Sequence, residues 1–457
     1  MLLVRTVFFL VCTVALMAQT DTDQSATPQP ASGGEYSGPA ILSRGQTPAG
    51  QTAAPLAFRP YIGLNGIYDT GIVPVGVTSQ GTIPTADEYG VELSLGGYLY
   101  HASKDTTVGL DYRGDFRHYT QNSSYDGTDQ FLSLIVTNRP SRHWTFTMRD
   151  RVGLYSLNTF IGPTSGAFDP AYLQAPVNNI FDNRLIFGGV AGDLTYQKSA
   201  RLSFNFGGEG NLTRYQSTAL YGSTGATARA DMEYRMSRHT TLGVDYRYTY
   251  YAYTRGFGNT GINSVGLNYS TQFTRHLQLS ARIGGARVTN LGLTEITLPP
   301  AIAVLLGESV AIQAAKSLTY SPDLQARLTE TWHRSSFSVG YTDMITPGNG
   351  LYVATRNNQG IATYSYSGLR HWNFSANASY GRMTSLSQEL GAYNTYTGGV
   401  GLTRDISKGL HAVVRLDAIH YKIGTAAQTT EPVFDHNEYR MTVGFTFSPG
   451  DIPLVLW

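Results

Sequence analysis

One stretch decides the fold: Ala226–Arg255, which reads ATARADMEYRMSRHTTLGVDYRYTYYAYTR. In its first arm, small or apolar residues alternate with polar and charged ones up to Met236, and the same alternation resumes at Leu242. A period of two predicts β-strand. The polar break between the arms, Ser-Arg-His-Thr centred on His239, predicts a turn, so the stretch is expected to form a β-hairpin.

The arms of this hairpin are long, and one side of each is charged. Each keeps its alternation for about ten residues, whereas strands of soluble proteins usually run about five or six. A tilted strand needs about 9–11 residues to cross a bilayer. Charges are seldom buried in a dry core without partners. One face is therefore expected to meet lipid and the other a wet lumen, with Asp231 opposite Arg247 fixing the register.

Short basic breaks of the same kind recur along the chain. Their basic residues are Lys104, Arg142, Lys198, Arg238, Arg275, Arg334, Arg370 and Lys408. Most of the intervals between them are about 38 residues, which is a repeat signal. Short turns on one side and variable loops on the other are typical of an outer-membrane barrel. The two longer intervals predict extra-long loops at about 158–182 and 289–316.

The turn count predicts the fold class. Eight short turns, with a first strand at about 57–69 and a last at 438–448, give 18 strands. Even numbers are the rule for single-chain bacterial barrels. We therefore predict an all-β fold, a transmembrane antiparallel up-and-down β-barrel of about 18 strands, with 16 as the alternative because two of the strands alternate less cleanly.

Composition fits this class. The 457 residues have a mean hydropathy of −0.18 and include 50 glycines and 31 tyrosines, which suit long twisted strands with aromatic belts. A helical membrane protein is disfavoured because no apolar span of helix length follows the first 20 residues. The net charge of +1 argues against a polyanion-binding surface and against nucleic acid as a partner.

The N-terminus predicts export. Residues 1–18 have a basic residue, an apolar core and a small final residue, which is the pattern of a signal peptide. Its removal takes away Cys12, the one cysteine, so the mature chain has no disulfide or thiolate chemistry. We predict a disordered leader at 19–56, the barrel at 57–448 and a C-terminal tail at 449–457.

The chain resembles the bacterial outer-membrane porins and related large β-barrels over about residues 57–448. Its last strand is similar to the aromatic-ended strand that barrel-insertion machinery reads in that family; its alternating residues are Tyr439, Met441, Val443, Phe445 and Phe447. Here Ser448–Trp457 follow that strand, which departs from the family pattern. The resemblance implies the outer membrane of a Gram-negative-type bacterium, with membrane lipid and lipopolysaccharide, the insertion machinery, and small polar solutes or a polysaccharide as partners. No subfamily is assignable.

The charged side of the strands predicts the pore lining. Its members are Asp111, Arg113, Asp115, Arg117, Arg149, Arg151, Arg229, Asp231, Glu233, Arg235, Asp245, Arg247, Arg282, Asp323, Arg327, Arg415, Asp417 and Arg440. Paired ladders of these residues stiffen a large wet barrel, and the same charges set a selectivity field. Trp144, Trp332 and Trp372 lie beside short turns and predict an aromatic belt at one membrane interface.

A partial closure of the pore is predicted from the two longest loops. The stretch LPPAIAVLLGESVAIQAA is too apolar for a water-exposed loop, so it is expected to be covered, either on the rim, by a partner, or by folding inward. The inward arrangement is favoured, and the constriction residues are Ile302, Leu305, Leu306, Phe160, Phe168 and Tyr172.

Two function classes follow, and a third is weaker. The first is a channel for diffusion of small polar solutes, and the second is a barrel that exports or anchors an exopolysaccharide. The third is a hydrolase on the barrel rim, for which His118, His420 and His436 lie near loop ends. The run Gly256–Gly261 matches a dinucleotide fingerprint, but strand follows it where a helix is required. We therefore predict no catalytic, cofactor or metal site and no enzyme activity.

The topology has a direct test, because the mature chain is free of cysteine. A His239→Cys variant should resist a membrane-impermeant thiol reagent on intact cells, since the short turns are expected to face the periplasm. An Ala219→Cys variant in a loop should be labelled. The reverse pattern of labelling would show that the barrel is upside down.

Overall fold

The computed structural model describes residues 56–72, 85–121, 123–155, 184–218, 220–255, 258–297, 310–386, 391–424, 434–449 and 452–453. These residues are almost all β-strand, with one short 3-10 turn at Ser123–Tyr125. Within these ranges, no helix has the length and apolar character to cross a membrane.

Eighteen long antiparallel strands form one closed sheet, in which each strand pairs with the next along the chain and the first pairs with the last. The strands are β1 Leu56–Ile72, β2 Ala86–Ala102, β3 Thr106–Tyr119, β4 Gly127–Asn138, β5 Trp144–Tyr155, β6 Leu185–Gln197, β7 Leu202–Tyr215, β8 Gly222–Arg235, β9 Thr240–Thr254, β10 Asn259–Gln272, β11 Leu277–Thr297, β12 Val310–Thr331, β13 Ser335–Gly348, β14 Val353–Tyr366, β15 Trp372–Ser385, β16 Tyr393–Ser407, β17 Leu410–Ile423 and β18 Phe434–Phe447. A two-residue strand, β19 (Ile452–Pro453), pairs with the start of β1. The predicted up-and-down barrel of 18 strands is confirmed.

The barrel is apolar outside and polar inside. On β9, the outward Leu242, Val244 and Tyr246 are each more than 40% exposed, whereas the inward Asp245 is only 2% exposed. The same inversion holds around the ring, where large apolar side chains are exposed and carboxylates, guanidinium groups and hydroxyls are buried. The alternation read from the sequence therefore reports the two faces of the wall.

The eight predicted short turns all join consecutive strands at one end of the barrel, which we call the turn end. Four of them share a side-chain hydrogen bond, and in the β6–β7 turn it runs from the backbone N–H of Arg201 to the hydroxyl of Ser199 at 3.2 Å. The backbone N–H of His143, His239 and His276 donates to the hydroxyl of the Ser or Thr two residues earlier, at 3.1–3.3 Å. A serine or threonine hydroxyl that bonds its own turn offers the backbone an alternative to the sheet ladder. The opposite end carries the longer connections, and we call it the loop end.

The register of the opening hairpin differs from the prediction. Asp231 faces Asp245, and Arg229 faces Arg247, so the expected Asp231–Arg247 pair does not form. The turn is centred one residue earlier than His239, because Met236 and Ser237 both donate to the carbonyl of Thr240. Like charges opposite each other are unfavourable, so these side chains need partners on other strands.

The predicted long loop at 289–316 is wrong in its bounds. β11 and β12 stay paired from Leu277↔Glu330 to Thr297↔Val310. β10 pairs with β11 only as far as Asn259↔Leu291, so beyond that point β11 and β12 continue as a two-stranded ribbon. A ribbon that extends beyond the barrel wall needs no lipid-facing side, so its sequence need not alternate between apolar and charged residues. The long interval between the flanking basic turns was therefore assigned to a loop.

Candidate functional site

The barrel interior is the candidate site. All of the predicted pore-lining residues lie on the inward side of their strands, from Asp111 on β3 to Arg440 on β18. Arg151, Arg282, Asp323 and Asp417 are buried there, with exposed fractions below 10%. That they border a conducting path remains a prediction.

On one wall, a single carboxylate holds two arginines. Asp193 on β6 accepts from Arg149 on β5, with 2.5 Å between Nη2 and Oδ2, and it also accepts from Arg229 on β8. Arg229 therefore leans toward β6, away from Arg247, which it faces across the β8–β9 pair. The ion pair with Asp193 thus draws one of the two facing guanidinium groups away from the other.

Farther round the same wall, a single arginine joins two carboxylates. Arg282 on β11 donates to both oxygens of Asp245 on β9, at 2.8 Å from Nε and 2.7 Å from Nη2. Its Nη1 lies 2.5 Å from Asp323 on β12. This bidentate geometry fixes the arginine against the wall, and the charges neutralise one another where burial would otherwise be costly.

Glycines make these long-reach pairs possible. Gly207 on β7 stands in register between Asp193 and Arg229, and a Cβ there would collide with both side chains. Gly266 on β10 has the same role, because a Cβ there would lie 2.8 Å from Arg282 Nε and from Asp245 Oδ1. Each ion pair thus passes over a glycine of the intervening strand, where no side chain stands in the way, and the arginine lies flat along the wall.

The seam of the barrel carries a further buried ion pair. Arg440 on β18 donates to Asp69 on β1, at 2.5 Å from Nε and 2.9 Å from Nη2, and the hydroxyl of Tyr119 donates to the same carboxylate. Asp69 is completely buried. Next to it, Arg117 pairs with Asp129 and lies 3.6 Å from Glu92.

Sequence reasoning missed four of the acids that organise this interior: Asp69, Asp129, Asp193 and Asp343. Asp193 lies on a strand in which Gly188 and Gly189 interrupt the alternation, so its parity was hard to read. Asp69 and Asp129 lie near the ends of their strands, where the alternation of apolar and polar residues is hard to recognise. An arginine on an adjacent inward side was the available signal, since buried guanidinium groups need carboxylate partners.

Near the loop end, β13 separates from β12 while β14 stays paired with β15 as far as Thr355↔Ser385, and the tip of the β13–β14 hairpin enters the lumen. Pairing between β12 and β13 stops at Leu324↔Asp343, whereas β13 and β14 stay paired to Gly348↔Val353. From Thr342 to Pro347 every residue is buried, whichever side of the strand it is on. A strand in the wall would alternate, so this segment is covered on both sides. An ion pair between Asp343 and Arg356, 2.8 Å from Oδ1 to Nε, braces the two strands at the point of departure.

Apolar contacts hold the tip of this hairpin across the lumen. Ile345 packs against the inner surface of β9–β11, on Tyr251, Ile262, Ala286 and Val288. Leu351 packs on a cluster from β6 and β7 with the connection that follows β7, whose members are Leu185, Phe187, Tyr215 and Leu220.

Tyr352 secures the other side of the tip. It packs with Met383, Tyr393, Ile419 and Tyr421 on β15–β17, and its hydroxyl donates to the carbonyl of Gly391 at 2.8 Å. β6 and β15 are nine positions apart in the ring of 18, so the tip bridges opposite walls near the loop end.

A cavity of about 720 Å³, partly open to solvent, lies between this hairpin and the charged wall. Met344 and Ile345 of the hairpin border one side. The charged groups that border it are Arg149, Arg229, Arg247, Glu209 and Asp323. The cavity therefore combines an apolar surface with fixed charges of both signs.

The constriction predicted from the two longest loops is a separate matter. The residues outside the described part of the chain include Phe160, Phe168, Tyr172, Ile302, Leu305 and Leu306, together with the signal peptide, residues 19–55 of the leader and Trp457. Leu56, the last residue of the predicted leader, is the first residue of β1. The inward folding of the constriction residues stays a prediction. The narrowing that the structure does describe comes from β13 and β14, which the sequence reading treated as ordinary wall.

The histidines considered for a rim hydrolase have polar partners at the loop end. His118 lies 2.7 Å from Asp126, His420 lies 2.9 Å from the side chain of Asn437, and His436 contacts the carbonyl of Gly71 at 2.6 Å. Among the described residues, no group of three or more metal-ligating side chains is assembled.

Comparisons with known proteins give no family for this chain. No protein-family model matches it, and no curated protein matches it. Among solved structures it is similar to Pseudomonas aeruginosa OccK2 (13% identity, TM-score 0.39) and to the outer-membrane protein OpdK of the same organism (14%, 0.40), each covering 86% of this chain and 98% of the other. Acinetobacter baumannii OccAB4 is similar at 11% identity and a TM-score of 0.39, with the same coverage. The likeness is too weak to assign a solute, and the barrel is established by the strand pairing of this chain.

A Gly207→Ala variant tests the role of the glycines in the wall. The added methyl group should separate Asp193 from Arg229 and lower stability by about 1–3 kcal/mol, the usual cost of overpacking. Its midpoint temperature for loss of heat-modifiable gel migration should fall. Gly189→Ala is the matched control, because that inward position has its nearest neighbours at 3.7 and 3.8 Å. Equal midpoints for the two variants would contradict the argument.

Proposed function

We propose that the chain is an outer-membrane channel through which small polar solutes diffuse, in a charged lumen narrowed by the β13–β14 hairpin. The observation that carries the proposal is the inverted polarity of a closed barrel. A ring of exposed apolar side chains around the barrel is unfavourable in water and suits lipid. A barrel of 16–18 strands is wide enough to leave an aqueous path.

The arrangement of the charges on the wall favours an interior through which polar solutes pass over one that is filled by side chains. Arg282, Asp245 and Asp323 are held flat by their mutual bonds, so they leave the centre of the lumen clear while still setting a local field. Fixed charges lining a narrow path tune which ions and solutes pass.

The hairpin supports a limit on solute size. Its tip contacts opposite walls, so a solute must pass beside it. This favours diffusion of small molecules over passage of a polymer. Export of an exopolysaccharide would need the hairpin to move away, which means breaking apolar contacts on both sides of the tip.

Removing the hairpin tip should enlarge the path. Replacing Thr346–Thr355 by Asn-Gly joins Ile345 to Arg356, which already face each other, through a turn suited to two-residue hairpins. Single-channel conductance in a planar bilayer should rise severalfold, and the barrel should keep its heat-modifiable migration. Unchanged conductance in a folded variant would exclude the hairpin as the constriction. Deleting Pro299–Ala315 in parallel tests the loop hypothesis drawn from the sequence.

The charged wall should set ion selectivity. Replacing Arg149 and Arg151 by Glu should shift the reversal potential toward cations and leave the barrel able to insert, because lumen charges tune permeation. A Val244→Arg variant is the control for the other face, and it should impair insertion by about 2–4 kcal/mol if it lies near the bilayer midplane. Equal insertion defects from both variants would show that the faces are assigned wrongly.

A further inference from the structure

The turn end of the barrel is strongly basic. The structure describes every residue of the eight short turns, and ten exposed cations lie in them: Lys104, Arg139, Arg142, Lys198, Arg201, Arg238, Arg275, Arg334, Arg370 and Lys408. Asp105 is the one acidic residue among them. The net charge of +1 for the whole chain conceals this asymmetry, so the argument from net charge against a polyanion-binding surface does not hold for this end.

Three of these cations belong to a repeated unit. Each tryptophan that the structure describes is separated from an arginine by a single histidine: Arg142-His143-Trp144, Trp332-His333-Arg334 and Arg370-His371-Trp372. The order of the unit reverses between turns, yet its spacing is kept. All three units lie at the turn end, and the other turns carry cations without tryptophan.

The tryptophans lie on the lipid-facing surface. Trp144 and Trp332 are 38% and 42% exposed, and the ring of Trp144 packs at a tilt against Tyr196 of the neighbouring strand, with centroids 4.6 Å apart. Trp372 is covered by the guanidinium group of Arg404, 5.1 Å from the ring centroid. Amphipathic indole rings prefer the level of the lipid headgroups. An arginine two residues away is therefore at that level too.

Two of these arginines, Arg334 and Arg370, each make a hydrogen bond at the turn end through one nitrogen of the guanidinium group. Arg334 uses Nη1 to donate to the carbonyl of Gly368 at 3.3 Å, and Arg370 uses Nε to donate to His371 at 3.1 Å. A guanidinium group has five N–H donors, and these bonds orient it while leaving others directed to solvent. Its planar fork matches a phosphate, which it binds in a bidentate manner.

We propose that the three Trp-His-Arg units bind the phosphate headgroups of anionic phospholipids in the leaflet at the turn end. In each unit the indole lies against the acyl region and the guanidinium group contacts the phosphate. Each basic residue near an anionic membrane surface adds to the attraction, so three units give a marked preference for anionic over zwitterionic lipid. The inference rests on the proposed membrane location of the barrel.

Two variants that remove the same number of positive charges distinguish binding at the three Trp-His-Arg units from a general attraction between the basic turn end and anionic lipid. The first is Arg142→Gln with Arg334→Gln and Arg370→Gln, which removes the arginine of every unit. The second is Lys104→Gln with Arg238→Gln and Arg275→Gln, which removes three cations from turns that lack tryptophan. The midpoint temperature for loss of heat-modifiable migration is measured in detergent micelles containing phosphatidylglycerol or phosphatidylcholine.

Phosphatidylglycerol should raise the midpoint of the wild-type protein above its value in phosphatidylcholine. The second variant should keep most of that difference, and the first should lose most of it. Equal losses in both variants would overturn the proposal in favour of a diffuse basic ring that attracts any polyanion. A wild-type protein indifferent to the lipid would overturn it as well.

Conductance in bilayers separates this inference from the proposed function. If the wild-type protein conducts but shows no preference for anionic lipid, the headgroup site fails and the channel stands. If the lipid preference is present and the protein does not conduct, the channel proposal fails and the headgroup site stands.

Discussion

The structure depends on ion pairs that are laid flat against the inner wall of a closed sheet. A barrel of this width cannot fill its interior with apolar side chains, so its inward face must carry polar groups whose charges are satisfied. Asp193, Arg229 and Arg282 meet this requirement through partners two strands away, and Gly207 and Gly266 clear the route. These side chains find their partners along the wall, so their charges are satisfied without groups from the centre of the lumen.

The same constraint explains what could be read from the sequence. The number of strands, the positions of the turns and the two faces of the wall can be predicted from local patterns, because the alternation of side chains and the basic turns are each visible within a few residues. The pairing of Arg229 could not be read in this way. It faces Arg247 in the sheet but bonds to Asp193 across a glycine, so its partner is set by an empty position on a third strand.

The inward hairpin shows a second limit of pattern reading. In the sequence, residues Thr342–Pro347 look like the continuation of a wall strand. In the structure both sides of this segment are covered, and that environment is set by distant parts of the chain. What draws the tip inward is a set of apolar residues on distant strands, among them Tyr251, Tyr393 and Tyr215. Those residues look like ordinary inward positions until the barrel closes and brings them together.

The seam between β1 and β18 has a consequence for the order of assembly. The other long strand pairs join neighbours in the chain, whereas β1 and β18 are the first and the last long strands. The ion pair between Arg440 and Asp69 therefore joins residues 371 positions apart. Hairpins can therefore add one after another with short loop closures, and one long-range step remains for the end. Until that step, Asp69 is a carboxylate without its arginine and β1 is an unpaired edge. A chain that lacks β18 would therefore keep both defects, the open edge of β1 and the carboxylate without a cation.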